Sequence, residues 1–240
     1  MKKILLLFVA ILSVNTYAQD VNKIYNDYVD ALGGKSKLAK VKSIQKKIVM
    51  SMPAQGMEVP MDTYQSIDGV IYTKMNMMGQ EIIAVAFDGK KGFKMNQQMA
   101  YEDITPEQAE KLTNEAKDIF GSVLRYKERG DQLTYIGKET LDGIEYDALK
   151  LNLKEPIEGS ITEMKVLFNP KTHLFDHIII DMGGTKLDTK VVSYVEVDGI
   201  KFIEKLEISM NGQVAQTMTM SDIVINPPAP DSSVFNKPKE

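Results

Sequence analysis

The side chains with the most distinctive chemistry in this sequence are its methionines. The chain has 15 of them. Met50, Met52, Met57, Met61, Met75, Met77, Met78, Met95 and Met99 crowd into one stretch. Thioethers are flexible and polarizable, so a surface lined with them adapts to variable apolar shapes. Three readings follow: a cavity for acyl chains, plain core packing, or a soft-metal site, since thioethers select Cu(I). Alternate methionines on one strand lie ~6.6 Å apart, so chelation needs several strands to converge.

Other chemistry is thinner. The only histidines are His173 and His177. On a strand their spacing spans ~13 Å, too far to share one ion, so they read as structural or solvent-facing. Glu102-Asp103 and Glu155 with Glu158 lie in polar turns and read as solvated charge. There is no G-x-S-x-G, P-loop or G-x-G-x-x-G. The absence of cysteine removes disulfides, thiol nucleophiles and thiolate metal sites. A net charge of -4 with lysines scattered among acids gives no nucleic-acid stripe. No catalytic residue, metal site or cofactor is expected, and the chain reads as a non-enzyme.

These methionines sit in a chain whose period is mostly two. A helix is expected over Val21 to Leu32, stopped by Gly33-Gly34, with a second short one capped by Ser36. From Ser43 the pattern alternates, with Ile44, Lys46, Ile48, Met50 and Met52 on one face. Further strands are expected at Met57 to Thr63, Ile71 to Met78, Glu81 to Phe87 and Gly92 to Met95. After Leu133 seven more follow, ending with Gln213 to Val224. Asp68-Gly69, Asp88-Gly89, Asp142-Gly143, Asp198-Gly199 and Asn211-Gly212 are hairpin turns. Between the two runs, Thr105-Pro106-Glu107-Gln108 opens a helix to about Ile119. Its narrow apolar stripe suits a surface or lid helix. Consecutive hairpins make an antiparallel sheet that curls into a barrel or a strongly curved sheet.

The first residues read as an address. Lys2 and Lys3 precede the apolar run Ile4 to Val14, and Thr16-Tyr17-Ala18 is a small-x-small cleavage site. The run is shorter than the ~20 residues of a membrane span. Residues 1–18 are therefore expected to be a cleaved signal peptide, and 19–240 a single exported domain. With no cysteine to lipidate, the protein is expected to be free in the periplasm.

Three passages carry a family resemblance: Tyr28-Val29-Asp30-Ala31-Leu32-Gly33-Gly34 running on to Ile44, Val85 to Asn96 with its Asp88-Gly89-Lys90, and the Asp198-Gly199 hairpin with the tail Asp231-Ser232-Ser233-Val234-Phe235. Together with the strand order they resemble the LolA/LolB-like periplasmic lipoprotein carriers, in particular the outer-membrane lipoprotein-sorting branch. The resemblance implies a mainly β fold, an open, incomplete antiparallel β-barrel of about eleven strands with helices on its concave side. It also implies a cavity that takes acyl chains of lipids or lipoproteins from one membrane and yields them to another. The partners implied are membrane-associated donor and acceptor proteins, with the carrier itself a monomer. The family's lid arginine has no counterpart: the corresponding turn reads Ile67-Asp68-Gly69, and the arginines are Arg125 and Arg129.

The expected cavity residues are Ile48, Met50, Met52, Met57, Val59, Met61, Ile71, Met75, Met77, Val85, Phe87, Phe93 and Met95. Leu112, Ile119 and Phe120 are the expected lid contacts. The rival reading is a non-enzymatic envelope module with a filled barrel.

Overall fold

Period-two alternation after residue 42 becomes strand after strand in a computed structural model, which describes residues 21–77, 79–157 and 160–238. The expected signal peptide, Met78 and Glu158 lie outside the described residues.

Helix α1 covers 21–31 and α2 covers Lys35–Leu38. The first strands are β1 (Ser43–Met52), β2 (Met57–Ser66), β3 (Val70–Met77), β4 (Gln80–Asp88), β5 (Gly92–Met95) and β6 (Tyr101–Asp103). Helices α3 (Pro106–Lys117) and α4 (Tyr126–Arg129) follow. The remaining strands are β7 (Gln132–Leu141), β8 (Ile144–Ile157), β9 (Ile161–Phe168), β10 (Phe175–Met182), β11 (Thr185–Val197), β12 (Ile200–Met210) and β13 (Gln213–Ile225).

All thirteen strands form one open antiparallel sheet. Its order is β6-β5-β4-β3-β2-β1-β13-β12-β11-β10-β9-β8-β7. The resemblance implies about eleven strands and the residue pattern twelve, against the thirteen present. One missing strand is β6, whose three residues are too few to show a period. The sheet does not close, because β6 and β7 remain its edges.

Turn chemistry sets this topology. Asp142-Gly143, Asp198-Gly199 and Asn211-Gly212 each place two successive residues at positive φ. That is the type I′ signature, whose twist matches the strands it joins. The Asp88 turn is longer: its carboxylate accepts from the Lys90 and Lys91 amides at 2.8 Å.

Residues group into two compact units. The first comprises 21–35, 122–192 and 208–214. Its core sets Tyr28 edge-on to Phe168 at 5.4 Å, beside fully buried Leu149, Leu151, Val166 and Leu167. Burying each such side chain contributes roughly 1.5–3 kcal/mol. The second comprises 36–121, 193–207 and 215 onward. Ile44, Ala86, Phe87, Phe93 and Ala116 are its most buried apolar residues.

Helix α3 starts where the sequence places it. The Thr105 Oγ1 accepts from the Gln108 amide at 3.3 Å, and the Gln108 side chain accepts from the Thr105 amide at 3.0 Å. Pro106 opens the first turn. The helix ends at Lys117, so Ile119 and Phe120 lie just beyond it.

Candidate functional site: a methionine-lined sheet face

Strand register in the second unit decides which side chains share a face. Directly opposed residues of an antiparallel pair point to the same side. Ile48 opposes Met61, Met50 opposes Val59, and Met52 opposes Met57. Met61 opposes Met75. Ile71 opposes Phe87 and Thr73 opposes Val85. Met77 alternates with Met75 on β3 and lies on this side too. On the other flank of β1, Ile48 opposes Met220 and Met50 opposes Met218.

One face of β13-β1-β2-β3-β4 therefore carries Ile48, Met50, Met52, Met57, Val59, Met61, Ile71, Met75, Met77, Val85 and Phe87 together. Sequence reasoning missed Met218, Met220 and Ile82, which complete the row. The back of the same strands carries Lys47, Asp62, Lys74 and Glu81, with Lys47 paired to Asp222 at 2.7 Å and Lys74 to Glu81 at 2.9 Å.

Phe93 and Met95 are not part of this face. Phe93 opposes Ala86, which alternates with Phe87, so both residues of β5 point to the back. There Phe93 is fully buried and meets Tyr101 edge-on at 5.1 Å. The C-terminal turn Ser232–Phe235 packs on β4, and Lys237 reaches Asp103 at 3.0 Å.

Burial is graded along the methionine face. Ile44 and Phe87 are fully buried, and Val59, Ile82 and Met220 nearly so. Ile48, Met50, Met52, Met57, Met61, Ile71, Met75, Met77 and Val85 are only half-buried. A contiguous apolar strip left open to water is costly, and soluble proteins keep such strips where something binds.

Helix α3 packs on β2 and β3. The Gln65 Nε2, on the methionine face, donates to the Ala116 carbonyl at 3.2 Å. Thr113 lies against Gly69, where a Cβ would approach its methyl to 3.0 Å. Among the lid candidates, Leu112 and Phe120 are half-buried and Ile119 is buried. Phe120 stacks on Phe202 with centroids 5.3 Å apart. Arg125 instead engages Glu128 at 2.9 Å and Arg129 engages Asp131 at 2.8 Å.

Lys46 is the single charged side chain of β1 on the methionine face. It opposes Thr63. Burial lowers its ammonium pKa, and no carboxylate acts against that shift.

The first unit holds a different cavity, a cleft of about 350 Å³ lined by Lys23, Ile24, Asp27, Tyr135, Lys138, Asp147, Phe168, Asn169, Pro170 and His173. Its charges are spent on one another: Lys23 pairs with Asp27, and Lys138 with Asp147 at 2.6 Å. His173 is half-exposed, 3.9 Å from Asp27. His177 is buried, and its Nδ1 lies 2.9 Å from Asp188. The edge of Tyr146 meets its ring. Burial and then Asp176 push the Tyr146 phenol up to about 12. Among the described residues, no group of His, Asp or Glu could hold a metal ion.

No protein-family model and no curated protein matches the sequence. Solved structures do. A putative outer membrane lipoprotein-sorting protein domain from Vibrio parahaemolyticus is similar over 89% of this chain and 95% of its own, at TM-score 0.56 and 10% identity. A LolA superfamily protein from Nitrosomonas europaea covers 92% of this chain and 98% of its own, also at TM-score 0.56 and 10% identity. A DUF1329 family protein from Desulfovibrio piger covers 90% and 99%, at TM-score 0.55 and 12% identity. With the open antiparallel sheet already described, these likenesses establish that the chain has the LolA-like fold.

Proposed function

We propose that the chain is an exported carrier that holds acyl chains of lipids or lipoproteins against its methionine face. It would move them across the periplasm toward the outer membrane, receiving and delivering them through membrane-associated partners. One observation carries this reading: nine apolar side chains on a single sheet face, from Ile48 to Val85, stay half-open to water. Thioethers suit such a face because they follow the contours of a flexible chain. Each CH₂ moved from water onto it contributes ~0.8 kcal/mol, so a long chain binds firmly while a shortened contact releases it. The fold is that of a lipoprotein-sorting domain and a LolA superfamily protein, which fits the same reading. Among the described residues, no helix is long and apolar enough to cross a membrane.

The filled-barrel module draws its support from buried Val59, Ile82, Phe87 and Met220. The half-open methionines beside them favour the carrier.

The test is native mass spectrometry of protein purified without detergent, with lipid extraction of the same sample. A bound species of lipid mass, lost on denaturation, is expected. A ligand-free mass, together with no uptake of a neutral apolar dye by folded protein, overturns the carrier reading.

A further inference from the structure

On β1 the methionine face is apolar except at one position. Lys46 lies on it between Ile44, which is fully buried, and Ile48, which is half-open. Along β1 it therefore stands where covered residues give way to half-open ones. The other sheet lysines nearby have carboxylate partners: Lys47 has Asp222, Lys74 has Glu81, and Lys94 has Glu102. Among the described residues, Lys46 has no such partner. An ammonium drawn partly out of water without a counter-charge is unfavourable, and an anion brought to it relieves that cost.

Building on the carrier reading, we propose that Lys46 receives the anionic head of a single-chain amphiphile, a long-chain carboxylate. The head lies inward, and the chain runs along β1 toward Met52. From Lys46 to Met52 the strand spans ~20 Å, room for an extended hexadecanoyl chain. One lysine supplies one positive charge, matching one carboxylate. Both arginines are already engaged with carboxylates, Arg125 with Glu128 and Arg129 with Asp131. The Thr63 hydroxyl, opposite Lys46, donates to the Lys46 carbonyl at 3.3 Å, so that hydroxyl is engaged with backbone and not with the ammonium.

The experiment compares palmitate with hexadecanol, which has the same chain and no charge. Both are titrated as displacers of a neutral apolar dye, at neutral pH, against the wild-type protein, Lys46→Met and Lys46→Arg. Wild type is expected to prefer palmitate by about tenfold, the scale of a hydrogen bond to a charged group. Lys46→Met should bind hexadecanol unchanged and lose that preference, and Lys46→Arg should keep it. A Lys46→Met protein that still prefers palmitate, or a wild type that prefers neither, overturns the head-group assignment and leaves the carrier intact. Failure of every protein to bind either amphiphile overturns the carrier reading itself.

Discussion

The Gln65 side-chain amide bridges to the carbonyl oxygen of Ala116 across 3.2 Å, tying the last turn of α3 to the methionine face. On the carrier reading, a helix lying on this face must be held weakly enough to yield to the ligand. One hydrogen bond of ~1 kcal/mol meets that requirement. Gln65→Leu removes the donor at similar size. Amide exchange across α3 is expected to accelerate about fivefold while the strands keep their protection. Unchanged exchange in α3 would show that the helix is held by its apolar contacts alone.

The two faces of the sheet predict opposite phenotypes for similar substitutions. Met75→Asp puts a carboxylate on a half-open face, where it keeps its water. The protein is expected to stay folded, with its β-sheet circular dichroism intact, and to lose uptake of a neutral apolar dye. Met50→Asp should behave alike. Phe93→Asp buries a charge behind the sheet, so it should unfold the protein or lower its stability by more than ~3 kcal/mol. Denaturant titration alongside dye binding separates the two. A folded, dye-negative Phe93→Asp would place Phe93 in the cavity after all.

Gly92 opens β5 for a steric reason. A Cβ there would lie 1.9 Å from the Ala86 carbonyl oxygen and 2.7 Å from the Phe87 Cα. Backbone cannot step aside as a side chain tip can. Gly92→Ala is therefore expected to separate β5 from β4 and to cost several kcal/mol, on the order of the larger single-site effects. Thermal melts check this, with Gly79→Ala as the comparison at another turn, where a Cβ meets nothing within 4 Å and only the smaller cost of a positive φ applies.

Lys46 predicts a pH dependence of stability. Its folded-state pKa is lowered by burial, so the native protein binds fewer protons than the unfolded chain between that lowered value and the ordinary lysine value. Stability from this group therefore rises with pH through that window. Below it the full cost of holding a buried cation is present. Lys46→Met removes the cost, so the variant should melt higher at neutral pH. The gap should narrow as pH climbs to the ordinary lysine range. Parallel melts at the two pH values read this directly, and a constant gap would remove burial of the cation as the cause.

Much of this arrangement is legible in the residues. The methionine face follows from alternation, because Ile48, Met50 and Met52 keep one parity and the Pro53–Gly56 turn returns Met57, Val59 and Met61 beside them. Farther along, parity alone misleads. Between Phe87 and Gly92 the turn holds an even number of residues, so opposed residues change parity and Phe93 goes to the back. A bulge near Thr73 changes it again, bringing Ile82 in beside Met75. Met218 and Met220 join because β13 closes onto β1 across most of the chain length, a pairing no local pattern encodes. Alternation puts Lys46 on the apolar face, but its lack of a partner depends on which carboxylates arrive in space. Gln65 carries no sequence mark at all.

A sheet that does not close has two open margins, and each presents backbone groups to which another copy could add a strand. Here both margins are poor templates. β6 offers only three residues. β7 is longer but slips register between Tyr135 and Gly137, with Gly137 at positive φ and Lys138 and Glu139 following. A foreign strand that started to zip along it would fall out of step at the kink. The open margins are thus kept from becoming a seed for fibres, even where the protein is crowded.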